Sequence, residues 1–153
     1  MWACLSFFWG STYHLQTNFH RLTVHLVPLD NDANSFLNQP FINMAQEQNS
    51  LQTTPHFTYV IRSASDYPNG LDDVRREVLG QECWAAVVIN ANATSAWRTA
   101  IENGDSSYSP NGAVGIYFQS ARFYQVVLLY VQQTVRYLSP DVKIELTSRS
   151  LVI

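Results

Sequence analysis

Asp30 and Asp32 close a Pro-Leu-Asp-Asn-Asp segment that follows the apolar, β-branched run LTVHLV over Leu22–Val27. Carboxylates just beyond the carboxyl end of a strand lie where parallel sheets present their ligand sites. There they could hold a cation or a sugar hydroxyl, or work with a histidine as acid and base. The same five residues make a good turn, because Pro fixes φ and Asp and Asn side chains cap nearby N–H groups, and for such a segment a solvated turn is the commoner outcome. Four histidines, His14, His20, His25 and His56, could in principle gather around a metal. None is paired at i, i+4 and none stands beside a cysteine or carboxylate at ligand spacing, so no metal is expected. His25, in mid-strand, reads as a hydrogen-bonded structural histidine, and Trp84 and Trp97 read as core residues before they read as a ligand platform.

Motifs with a sharper mechanism are missing from the sequence. It holds no phosphate-cradling glycine loop, no G-x-S-x-G, no H-E-x-x-H and no CxxC, so neither a cofactor nor catalysis is expected. Asn92-Ala93-Thr94 is an acceptor triplet for N-linked sugar in a loop after an apolar run, and it gains weight only if the chain enters the secretory pathway.

The chain has 153 residues, enough for one compact domain with one core. It is 46% hydrophobic and 13% aromatic but only 14% charged, so uncharged polar groups must finish its surface. With a net charge of −3 and its nine Lys and Arg scattered, nucleic acid is not an expected partner. Cys4 sits among apolar and aromatic residues and Cys83 just before an apolar run, which favours two buried thiols over a bridge. The start, MWACLSFFWG, is apolar but too short to cross a bilayer, which takes about 20 residues. It lacks the basic start and cleavage site of a signal peptide and reads as the outer end of a membrane helix. Phe123–Leu138 is interrupted by Gln125, Gln132, Gln133 and Arg136 and does not reach spanning character.

The elements that must position these residues alternate. Strands are predicted around Val24, Tyr59, Val87 and Ile116, from the runs LTVHLV, HFTYVI, WAAVVI and VGIYF. Helices are predicted over about Pro40–Gln48, with Leu37, Phe41, Met44 and Ala45 at helical spacing, and after Pro68-Asn69-Gly70, with Leu71, Val74, Val78 and Leu79 as its apolar positions. A third is capped by Thr94 or Ser95, turns Trp97, Ala100 and Ile101 inward and ends at Asn103-Gly104. A longer one carries Phe123, Val126, Val127, Tyr130, Val131, Val135 and Leu138 and stops at Pro140. The economical arrangement is a three-layer α/β domain: a mostly parallel four-stranded sheet with right-handed crossovers, helices on its faces and Trp84–Ile89 central. VKIEL at Val142–Leu146 is a possible extra edge strand.

Four segments, in order, resemble the fungal nitrosoguanidine-resistance protein family, membrane proteins similar to the phage-infection-protein and ABC-2-type permease group. They are FFWGSTYH from Phe7, NFHRLTVHLVPLDND from Asn18, ECWAAVVINANAT from Glu82 and GAVGIYFQSARFYQVVLLYV from Gly112. Trp9, Gly10, Trp84, Asn92, Tyr117 and Arg122 belong to the most specific parts. The resemblance implies an amino-terminal membrane helix, a large extracytoplasmic domain and further membrane helices, of which this chain is similar to the middle piece. Residues 1–13 are then the remnant of a membrane-proximal helix, 14–140 the extracytoplasmic α/β domain and 141–153 a tail of uncertain structure. The expectation that follows is a non-catalytic module on the extracytoplasmic face of a membrane, in the plasma membrane or secretory pathway, contacting a membrane or membrane-protein partner. The alternatives are a small hydrolase or transferase using the Asp30 and Asp32 loop, or a truncated product without retained function.

Overall fold

The computed structural model of the chain describes residues 20–32, 35–51, 56–109 and 112–119. In chain order these form β1 (Thr23–Pro28), α1 (Asn38–Ser50), β2 (Thr58–Ile61), a 3₁₀ turn (Ala64–Asp66), α2 (Leu71–Leu79), β3 (Ala85–Ile89), α3 (Ala93–Asn103) and β4 (Val114–Phe118). The strands make one mixed sheet in the order β2-β1-β3-β4. β1 is parallel to both β2 and β3, and only β4 runs antiparallel. The mostly parallel α/β sheet expected from the alternation is thus present, and its four predicted centres all fall in strands.

All five residues of β3 are buried, as an apolar strand covered on both faces requires. β1 divides its side chains between the two faces with the period of a strand. Val24 and Leu26 join Tyr59, Val87 and Ile89 on the face where α1 packs through Ala45, Phe41 and Met44. Val27, with Ala86 and Val88, lies on the other face with Val74 and Val78 of α2. Leu79, predicted as part of that stripe, is 48% exposed because it stands one residue past Val78, about 100° around the helix. Both edge strands are blunted. The Asn49 side chain pairs with β2 as a further strand would, its Nδ2 donating to Tyr59 O at 2.7 Å and its Oδ1 accepting from Tyr59 N at 2.8 Å. On β4, the Tyr117 ring folds over Gly115, where a Cβ would stand 2.8 Å from a ring carbon.

Two expectations are corrected. β4 is not a fourth parallel strand, because the chain after α3 re-enters the sheet at the end it left. Asn90 N–H donates to Ala113 O at 2.9 Å, Asn90 Nδ2 donates to Gly112 O at 2.7 Å, and Val114 pairs with Ile89. For the same reason α3 is no crossover helix. It buries Ala93, Thr94 and Ala100, while Trp97 and Ile101, predicted to face inward, are 39% and 59% exposed. The predicted helix over Phe123–Leu138, the edge strand at Val142–Leu146, Cys4, and the segments 1–13 and 141–153 lie outside the described residues. Among the described residues no helix is long and apolar enough to cross a membrane.

Candidate functional site

The strand order 2-1-3 makes the chain reverse direction across the sheet between β1 and β3, and the crevice beyond the carboxyl ends of those strands is where α/β sheets bind ligands. Asp30 lies there, 3% exposed. Its Oδ2 accepts the Thr94 N–H and the Ser35 hydroxyl, each at 3.1 Å. Thr94 Oγ1 donates to Ser35 Oγ at 3.2 Å, and Asn38 Nδ2 donates to the Asp30 carbonyl at 2.8 Å. Asn92, the residue before α3, adopts a left-handed φ of 61° and supplies no side-chain cap. Asp30 caps that helix instead, from the loop after β1, and its carboxylate occupies the N-terminal position that would otherwise receive a ligand anion. The turn reading of Asp30 therefore holds in its capping part, but the group is buried rather than solvated. Asp32 joins this knot through its backbone, its N–H donating to Asp30 Oδ1 at 3.5 Å, and its Oδ2 stands 3.7 Å from Arg98 Nη1.

Burial pushes the Asp30 carboxyl upward, but the bonds from Thr94, Ser35 and the Asp32 N–H outweigh it and hold the pKa below its ordinary value. A carboxylate with a depressed folded pKa stabilises the fold above its unfolded pKa of about 4, and the contribution drains away as pH falls through the folded value. Asp30→Asn is accordingly expected to cost about 1–2 kcal/mol at neutral pH. In urea titrations, the gap between variant and parent should close below about pH 4. A gap unchanged by acid would show that Asp30 is protonated, or exposed, in the folded chain.

The second polar cluster is on the α2 face of the sheet. His25 is 3% exposed at a position where the alternation of β1 calls for an apolar side chain. Its Nδ1 is 3.1 Å from Glu77 Oε1, within ion-pair distance but off the line of a directed hydrogen bond. Tyr67 OH donates to Glu77 Oε2 at 2.6 Å, and Arg62 Nη2 stands 3.6 Å from Oε1. Burial, then the bond and negative charge of Glu77, raise the Tyr67 phenol well above its ordinary range. Glu77, Tyr67 and Arg62 of this cluster line an open cleft of about 470 Å³ that runs along α2, its other lining side chains including Asn69, Arg76 and Glu82.

Sequence reasoning passed over Glu77 and the cleft. The signal was available: Val74, Glu77 and Val78 follow helical spacing, so Glu77 shares the buried stripe of α2 and needs a buried partner. Of the residues singled out from the sequence, Asn92 is exposed at the turn into α3 and Trp84 is half-buried at the amino end of β3. Tyr117 lies with its ring centroid 5.7 Å from the Arg75 guanidinium. Trp9, Gly10, Arg122 and His14 lie outside the described residues. Among the described residues, no group of three or more His, Cys, Asp or Glu is placed to hold a metal.

Fold and clusters together define a small α/β domain whose sheet-end crevice is filled by its own capping carboxylate and whose accessible polar groups line a cleft beside α2. The chain belongs to a family described as a protein of unknown function, DUF3533, whose model matches residues 1–152. No curated protein and no solved structure matches it.

Proposed function

We propose that this chain is a non-catalytic, extracytoplasmic contact module of a membrane protein, similar in role to the corresponding part of the nitrosoguanidine-resistance family, and that it engages a partner or ligand at the outer membrane surface. The observation that carries the reading is that the described domain begins and ends at one end of its sheet. At that end Thr58 N–H donates to Leu22 O, Trp84 N–H donates to Thr23 O, and Phe118 pairs with Ala85. Both chain exits, at His20 and Gln119, therefore leave on the side of the amino ends of β1 and β3. Each leads in sequence to an apolar aromatic stretch, MWACLSFFWG or Phe123–Leu138. A domain held near a membrane by the amino-terminal stretch turns its opposite end outward. There the Phe36 and Trp97 rings meet at a tilt of 55° with centroids 4.6 Å apart and, with Ile101 one turn further along α3, stay exposed. Asp30, the best acid for a hydrolase, is committed to capping α3, which favours contact over catalysis.

The full gene product expressed in a fungal host tests the reading. Asn92 is exposed, so a sugar there meets no steric obstacle. Thr94 is fully buried with its hydroxyl bonded to Ser35, so the acceptor triplet has to be read before α3 docks. Endoglycosidase treatment should shift the membrane-fraction protein, and the shift should vanish in Asn92→Gln. Unmodified protein recovered wholly from the cytosol would count against both topology and membrane role.

A further inference from the structure

From the spare charges of the cleft along α2 we infer that it binds a small zwitterion carrying an anionic acid group and a primary amine, an inference that rests on the contact-module reading above. Most of the charged groups lining the cleft are already committed. Asp73 accepts the Asn69 N–H at 2.8 Å and holds Arg76 at 3.1 Å, Asp66 accepts the Ser63 N–H at 3.3 Å, and Glu77 takes His25 and Tyr67. Two groups of opposite sign are left over. The Arg62 guanidinium makes one ion pair, at 3.6 Å, and among the described residues its donors make no hydrogen bond, the buried Nε included. The Glu82 carboxylate is exposed and has no partner among the described residues.

A guanidinium with its fork unfilled, half-exposed at the wall of a cleft, is suited to a planar or tetrahedral oxyanion, with the mostly exposed Arg76 able to add charge. The unpartnered Glu82 at the same cleft suits a cationic group. The amine is a primary one because recognition of a quaternary ammonium uses a cage of aromatic faces, and Tyr67 is the aromatic residue lining this cleft. Phosphoethanolamine has this chemistry whether as a free solute or as a lipid headgroup.

O-phosphoethanolamine titrated into the purified full chain, followed by ¹⁵N amide shifts, tests the inference. At up to about 10 mM the amides of Tyr67, Asn69 and Glu82 should shift saturably. Phosphocholine and inorganic phosphate should bind about tenfold more weakly, and Arg62→Ala and Glu82→Gln should each weaken phosphoethanolamine about tenfold. Glu82 is on the surface, so Glu82→Gln keeps the fold and isolates the charge. Co-sedimentation with phosphatidylethanolamine vesicles but not phosphatidylcholine vesicles assigns a lipid headgroup, while solute binding without sedimentation assigns a free zwitterion. No shifts, equal binding of phosphate or phosphocholine, or undiminished binding to Glu82→Gln overturns the inference. The titration is independent of cellular location, so its failure and the failure of the membrane reading are told apart.

Discussion

Val88→Asp should leave the chain unfolded at room temperature. Val88 is fully buried in β3, between β1 and β4, among Val27, Val74 and Val78. A carboxylate there loses its hydration and meets an apolar wall, so several kcal/mol are lost beyond the roughly 2 kcal/mol of apolar burial. That is a large share of the roughly 5–15 kcal/mol by which a domain is stable. Circular dichroism and urea titration provide the measurement, with Val88→Ala as a milder reference that keeps the fold at a cost of about 2 kcal/mol. A cooperative transition for Val88→Asp near that of the parent would place residue 88 outside the core and remove β3 from the centre of the sheet.

Glu77→Ala should be nearly as damaging, at about 3 kcal/mol, because it leaves the buried His25 and the Tyr67 hydroxyl facing an empty site. The cost comes from stranding the partners rather than from the strength of the pair. Replacing His25 and Glu77 together by Leu should therefore recover the share that comes from His25, since a buried polar pair and a packed apolar pair of similar volume are often equal in stability, while the Tyr67 hydroxyl stays without its acceptor. Urea titrations of Glu77→Leu, His25→Leu and the double Leu variant, beside Glu77→Ala, decide the matter. A double variant as unstable as the sum of the singles would mean that the two side chains do not act on each other.

The core of this fold was legible because it rests on periodicity. The apolar, β-branched run LTVHLV and the unbroken run AAVVI locate β1 and β3, and Val74 and Val78 locate the inner stripe of α2. Strand direction was not legible for β4, since VGIYF has the same buried pattern in either orientation. The turn of Asn90 onto Gly112 and Ala113 decides it, through bonds between segments distant in sequence. The error at α3 follows from that one. Trp97 and Ile101 would have faced inward on a crossover helix, and the helix is not one. His25 is buried in mid-strand, but its Nδ1 faces Glu77 at 3.1 Å without the directed hydrogen bond that was expected, and that partner was missed because a glutamate on a helix is ordinarily taken as solvated. The Asp30 cap was half legible: the residue type announced a capping role, while its target, Thr94, lies on another element.

Chemical labelling on intact cells tests whether the end of the domain bearing Phe36, Trp97 and Ile101 points away from a membrane on its outer side. Glu102, on the exposed side of α3, is replaced by Cys in the full gene product, and the cells are treated with a membrane-impermeant maleimide. Labelling is read against the parent chain, whose Cys83 is buried. Glu102→Cys should label above the parent before permeabilisation, with little further gain after it. Labelling that requires permeabilised cells would put this end of the domain in the cytoplasm and overturn the extracytoplasmic placement.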